Sequence, residues 1–178
     1  GTVFKVDTDG TDYAVLKYFR SNDGDGASSY AGVALSGNML YGTTYFGGSS
    51  NLGTVFKVHT DGTGYAVLHH FTNHFTGGAW PFAGVTLSGS TLYGTAGGGY
   101  GTVFKVNVAT GEVATVVSFT GGAGEYPGMM PASGLMNDGK GFMWGTTQEA
   151  PIYGGVYKVE IATGRFTSVV QFDPELES

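Results

Sequence analysis

There is no cysteine in the 178 residues. Disulfide bridges and thiolate-held zinc are therefore excluded. Basic side chains are scarce, 8 Lys and Arg against 14 Asp and Glu, and the net charge of −6 is broken by no cationic cluster. A polyphosphate would find no electrostatic footprint, so nucleic acid is set aside as a partner. No apolar run approaches the roughly 18 residues that a membrane-spanning helix needs, and no basic segment leads into an apolar one as in a signal peptide. Membrane insertion is not expected. The first residue is not Met, which suits a processed chain or an excerpt of a longer one.

What is present points to strands and tight turns. Glycine occurs 33 times and only 12% of the residues are charged, but aromatics reach 14%, with 12 Phe and 11 Tyr. No G-X-Y period runs through the chain, and so many rings argue for a packed β core over a disordered or collagen-like one.

The string GTVFKV occurs at residues 1–6, 53–58 and 101–106, with GGVYKV at 154–159. Each copy has a Phe 18 residues after its opening Gly, at Phe19, Phe71, Phe119 and Phe172. Within that window lie a β-rich run, a turn built on Asp-Gly or Thr-Gly, and a second β-rich run, which predicts a hairpin. Between these windows a second hairpin is predicted in AGVALSGNMLYGTT, AGVTLSGSTLYGTA and SGLMNDGKGFMWGTT.

Four short strands every 48 to 53 residues are the signature of a β-propeller blade, whose four-stranded antiparallel sheet packs face to face on its neighbours. Naming the strands A (GVALSG), B (NMLYGTT), C (GTVFKV) and D (YAVLKYF), the chain reads as CD followed by ABCD three times. The expectation is a single all-β module over 1–178, with a half blade at 1–20 and blades at 31–72, 83–119 and 133–172. Three and a half blades make a partial ring, completed by another chain or by further repeats, and an unmatched half blade exposes an edge that invites pairing.

LYGTT, a glycine-rich loop, GTVFKV and a DGT turn together resemble the tandem repeat named GloVer, for Gloeobacter and Verrucomicrobia. The resemblance runs over nearly the whole chain, with drift to MWGTT, ATGE, ATGR and GGVYKV in the later repeats. It implies a β-propeller in a secreted or surface bacterial protein, and it brings no catalytic residues with it.

The A–B and C–D turns are nearly constant in length, whereas the B–C and D–A connections differ in length and in almost every letter. In a propeller those two connections emerge on one face, and variable loops on a rigid scaffold are where binding resides. That face carries Tyr30, Tyr45, Phe46, His74, Phe75, Trp80, Phe82, Tyr100, Tyr126 and Tyr153, with Asp23, Asp25, Glu125 and Glu149 among glycines. Flat rings beside carboxylates suit the apolar face and hydroxyl edge of a sugar. Equally, rings of this kind fill gaps between blades or cover the edge of a core.

Other signals are weaker. DTDGTD at 7–12 has acids at alternate positions, as a calcium loop does, yet its counterparts HTDGTG, NVATGE and EIATGR keep the turn and lose the acids. NDGDG at 22–26 offers Asp23 and Asp25 as calcium ligands with no distant Glu to complete a site. His59, His69, His70 and His74 fall close together, but adjacent strand residues face opposite ways, so His69 and His70 diverge. A carboxylate pair such as Asp25 with Glu125 could be picked for hydrolysis, though nothing in the spacing recommends it. Lys5, Lys57, Lys105 and Lys158 recur at one strand position and must pair or reach solvent.

The resulting expectation is an extracellular or cell-surface, non-catalytic module without a cofactor, which binds a glycan or a surface or matrix ligand. The alternative is a structural repeat that assembles with another copy of itself or with further repeats. A polysaccharide-active enzyme comes third.

Overall fold

The computed structural model describes residues 1–20, 22, 24–73, 78–122, 124–148 and 153–172, and among them the regular structure consists of strands alone. Alternating β-branched and aromatic residues between glycine turns leave little else for the backbone to do. A two-stranded sheet pairs β1 (Thr2–Lys5) with β2 (Ala14–Tyr18). The first four-stranded sheet runs β4 (Ala34–Ser36), β5 (Met39–Thr44), β7 (Thr54–His59), β8 (Ala66–His70). The second runs β9 (Thr86–Ser88), β10 (Thr91–Ala96), β11 (Thr102–Asn107), β12 (Val113–Ser118). The third runs β13 (Met136–Asn137), β14 (Phe142–Thr147), β15 (Gly155–Glu160), β16 (Phe166–Gln171). Every pairing is antiparallel, and the molecule is a β-propeller. Two short strands lie outside the blades, β3 (Gly26–Ala27) with β6 (Phe46–Gly47), tying a D–A loop to a B–C loop.

The first strands of successive blades touch, β4 with β9 and β9 with β13, so strand A is innermost and the sheets fan outward. Between neighbouring sheets lies one core per junction. Leu40, Phe56 and Val58 pack on Val3 and Phe19 of the first sheet. Leu92, Phe104 and Val106 pack on Tyr41, Val55 and Phe71. Met143, Tyr157 and Val159 pack on Tyr93, Val103, Val117 and Phe119. The apolar letters of GTVFKV thus serve two junctions at once: the first Val faces one neighbour, Phe and the second Val the other.

Cross-strand pairing explains the glycine of LYGTT. Gly42 lies opposite Phe56 and Gly94 opposite Phe104, and a Cβ on either would stand 2.6 or 2.5 Å from the ring's Cζ. The aromatic ring lies flat over bare backbone. The fixed lysines pair one step along with the aromatic of the same motif, Tyr41 with Lys57, Tyr93 with Lys105 and Trp144 with Lys158. Lys158 Nζ sits 4.5 Å from the Phe142 ring centre and 5.4 Å from that of Trp144, a cation held over π faces between the two inner strands.

All four C–D pairs carry a bulge at one place, between Val3 and Phe4, Val55 and Phe56, Val103 and Phe104, and Val156 and Tyr157. The extra residues are Leu16, Leu68, Val116 and Val169. A bulge increases local twist, which suits sheets that must splay from a common axis.

Candidate functional site

The two ends of the blades differ. On one rim the C–D turns bond the A–B turns of their own blades, with Thr60 N–H to Asn38, Val108 to Ser90 and Ile161 to Gly141. These turns hold themselves: Asp9 Oδ1 accepts both the N–H and hydroxyl of Thr11, and Asp61 does the same for Thr63. Those bonds lower both carboxyl pKa values, and DTDGTD is an Asx-type turn closed by its own side chain.

The other rim carries the D–A and B–C loops. Its main chain is stapled between blades: the hydroxyls of Thr43 and Thr95 donate to the carbonyls of Ala83 and Ser133 in the loops leading to the next blade, each at 2.9 Å. On this framework Tyr30, Tyr45, Phe46 and Phe82 form one aromatic cluster. Tyr45 meets Phe46 edge-on at 4.6 Å and Phe82 at 4.8 Å, while Tyr30 stacks on Phe82 at 5.7 Å. Tyr30 and Phe82 remain 63% and 52% exposed, so this cluster covers no core.

Beside it opens a cavity of about 280 Å³ lined by Tyr45, Trp80, Phe82, Gly97, Met130, Pro131 and Ala132. The lining comes from two successive D–A loops and two B–C loops. Trp80, Phe82, Met130, Pro131 and Ala132 of its lining lie just ahead of strands A. The volume is close to the lower limit of about 300 Å³ for small-molecule sites, room for one flat ring.

Not every sequence-predicted residue joins this site. Tyr126 packs against the third junction core, edge-on to Phe166 at 5.6 Å, so it seals a blade edge. Tyr100 lies against Gly121, with its carbonyl held by Met130 N–H. Tyr153 is exposed on the last B–C loop. His74, Phe75, Asp23 and Glu149 lie outside the described residues. Conversely, Met130, Pro131, Ala132 and Gly97 escaped an expectation weighted toward rings. Counting back from Gly134, as from Gly84, would have found the first three.

Asp25 has a structural setting. Its oxygens accept Lys17 Nζ at 2.9 Å, Tyr65 hydroxyl at 2.6 Å, and the N–H groups of Gly26 and Arg20 at 2.8 and 3.2 Å. Burial pushes its carboxyl up, but the bonds from Tyr65, Lys17 and the two amides outweigh it and leave the pKa low. Burial first, then Asp25, raise Tyr65 well above the usual phenol. With Lys17 3.9 Å from the Tyr65 ring centre, the trio bridges the first two sheets. Glu125, its suggested carboxylate partner, instead engages the neighbouring Tyr126 hydroxyl. His69 packs edge-on against Phe71, and His70 Nδ1 accepts Ser49 N–H. Among the described residues no three His, Asp or Glu side chains converge as a metal site.

In sequence, no curated protein matches the chain. In structure it is similar to a chain of a nidogen/laminin complex, at TM-score 0.64 and 17% identity over 98% of this chain and 56% of that one. It is also similar to TolB from Acinetobacter baumannii, at 0.58 and 14% over 96% and 37%, and to a puromycin hydrolase, at 0.60 and 17% over 95% and 24%. The chain spans about half or less of each of these proteins, and identities so low speak for the fold alone. The family model of the Gloeobacter/Verrucomicrobia repeat matches residues 1–178, and the chain belongs to that family.

Proposed function

We propose that this propeller is a non-catalytic binding module that takes a sugar ring of a glycan at the cavity on its variable-loop rim, outside the cell or at its surface. One observation carries the reading: rings from unlike loops, Tyr45, Trp80 and Phe82, converge on one open apolar cavity. Tyr126, by contrast, is turned onto Phe166 and the third junction core. The apolar C–H face of a pyranose matches such a floor, while its hydroxyls stay toward water. The extracellular setting comes from the family likeness.

Titration calorimetry against a panel of linear and branched glycans tests the reading. Trp80→Ala and Tyr45→Ala should each weaken a bound glycan by about 30-fold or more, the size of a central aromatic contact. A glycan that binds wild type and both variants equally would place the site elsewhere.

A second reading, assembly, is favoured by the two end faces. Phe4 is 55% exposed where its counterparts Phe56 and Phe104 are fully buried, and Phe172 is 52% exposed where Phe71 is fully buried. One end offers the Phe and Val of a blade front, the other the back that such a front covers at every internal junction. Another blade of the same pattern fits either face.

A further inference from the structure

Successive junctions of the variable-loop rim are built on one backbone. Tyr45, Gly97 and Gln148 begin the three B–C loops, and each donates its main-chain N–H to a D–A loop, to the carbonyls of Ser28, Trp80 and Met130 at 2.9, 3.4 and 3.2 Å. Tyr30, Phe82 and Ala132 each stand two residues before the glycine that precedes strand A, Gly32, Gly84 or Gly134. The residues after Phe82 and Ala132 are Ala83 and Ser133, whose carbonyls take the hydroxyls of Thr43 and Thr95, each at 2.9 Å. Phe82, Gly97 and Ala132 at the second junction are therefore the counterparts of Tyr30, Tyr45 and Phe82 at the first.

At the first junction three rings fill the space. Phe82 lies over Tyr30 with ring centres 5.7 Å apart and planes 17° from parallel, and Tyr45 meets Phe82 edge-on. At the second junction the first of the three places again holds a ring, Phe82 itself, but the other two are empty of rings. Phe82, Gly97 and Ala132 all line the cavity, so it opens where the preceding junction is filled. The backbone does not ask for these small residues. Most glycines of the chain have a positive φ or a neighbour that a Cβ would strike. Gly97 has neither: it is not left-handed, and a Cβ there would meet only the Trp80 carbonyl at 3.7 Å, an ordinary contact. Ala132 is not left-handed either.

We propose that Gly97 and Ala132 make the second junction the receiving one: they vacate the places that Tyr45 and Phe82 fill at the first, and a six-membered ring of the ligand enters there, parallel on Phe82 as Phe82 lies on Tyr30. The first junction is then the same site, filled by the chain's own rings. That the incoming ring is a sugar rests on the glycan reading above, whereas that the place takes a ring does not.

Gly97→Tyr, Ala132→Phe and the double variant restore the missing rings in the whole chain. Their melting temperatures should be unchanged or raised, because the new rings pack on Phe82 as at the first junction and Gly97→Tyr also restricts the unfolded chain. The probes are phenol, followed by amide NMR shifts, and a β-1,4-linked glucose hexasaccharide, followed by calorimetry. Both should bind wild type, with phenol shifting the amides around the cavity, and the double variant should lose about tenfold or more in affinity for each. Equal affinity of wild type and double variant for a probe that binds would overturn the proposal. A melting temperature lower by more than about 4 °C in either single variant would also overturn it, because the two junctions would then not be equivalent. If wild type binds phenol but not the hexasaccharide, the vacancy stands and the glycan reading fails for this sugar. If it binds neither, the vacancy takes no ring and the proposal falls.

Discussion

A single methyl group added at Gly94 should destabilise the protein by about 2–3 kcal/mol, the upper part of the range for overpacking a core. Its carbon would stand 2.5 Å from Phe104 Cζ and 3.0 Å from both Cε atoms, whereas carbon atoms in contact prefer about 3.5–4.0 Å. The ring has to move by about an ångström, and it has nowhere to go. Phe104 is fully buried and Phe71 holds its edge at 5.2 Å. For a chain of this size that cost lowers the melting temperature by roughly 5–10 °C. Gly32→Ala is the control, since a Cβ there meets nothing within 4 Å and the backbone is not left-handed; it should be neutral or slightly stabilising. Adding Phe104→Leu removes the Cε and Cζ atoms. The double variant should then be more stable than the sum of the two single costs by about 1 kcal/mol or more. Scanning calorimetry or urea unfolding of the wild type and the four variants reads this directly. If Gly94→Ala costs no more than Gly32→Ala, the glycine of LYGTT is not a floor for the cross-strand ring and the account of that motif fails.

Tyr157 occupies the place of Phe56 and Phe104, and its buried hydroxyl meets no hydrogen-bond partner among the described residues. Tyr157→Phe should therefore stabilise the protein by about 1 kcal/mol or more, and an unchanged or lower unfolding midpoint would show that the hydroxyl is satisfied. Burial, then the charge of His70, hold His69 below the usual histidine value. Its contribution to stability is full above about pH 6.5 and is lost as pH falls below that, a decline that His69→Val should remove from a pH series of melting temperatures. Asp25, also depressed, contributes fully above about pH 3.9 and loses that contribution as pH falls further, so Asp25→Asn should flatten the acid limb alone. Light scattering over a concentration series should show association through the end faces, abolished by Phe172→Asp. A chain that stays monomeric at all concentrations would count against assembly of separate copies.

The blades were legible because the repeat preserves an 18-residue spacing from Gly to Phe in every copy, and such regularity survives without any knowledge of contacts. The bulges were not. AVLKYF, AVLHHF, ATVVSF and TSVVQF read as unbroken runs, and the extra residue in each shows only once the partner strand supplies a register. The strands β3 and β6 escaped for a related reason, since two residues of Gly-Ala and Phe-Gly carry no period. Of the candidate rings, Tyr45, Trp80 and Phe82 reach the cavity while Tyr126 turns onto Phe166. Both kinds are aromatics in glycine-rich loops. What separates them is whether a core residue happens to stand beneath, a three-dimensional fact with no local signature. Met130 was missed because it is not aromatic, although its offset from Gly134 equals that of Trp80 from Gly84.

A rim of unlike loops on a ring of like blades requires that the loops vary without loosening the ring. The hydrogen bonds answer this, because the groups that join one blade to the next on this face are mainly main-chain amides, main-chain carbonyls and the threonines of the YGT motif. Substitution in a loop leaves those groups in place. The opening glycine of GTVFKV belongs to the same arrangement: Gly53 and Gly101 are left-handed, and a side chain on either would run into Pro81 or Pro131, the residues after Trp80 and Met130. Proline there fixes its own φ and stiffens the approach to strand A, with no side-chain partner required. The first junction lacks that proline and has Ser29, whose hydroxyl bonds the Thr43 carbonyl at 3.0 Å. Different letters therefore secure the same backbone, and the side chains that face outward are left to differ.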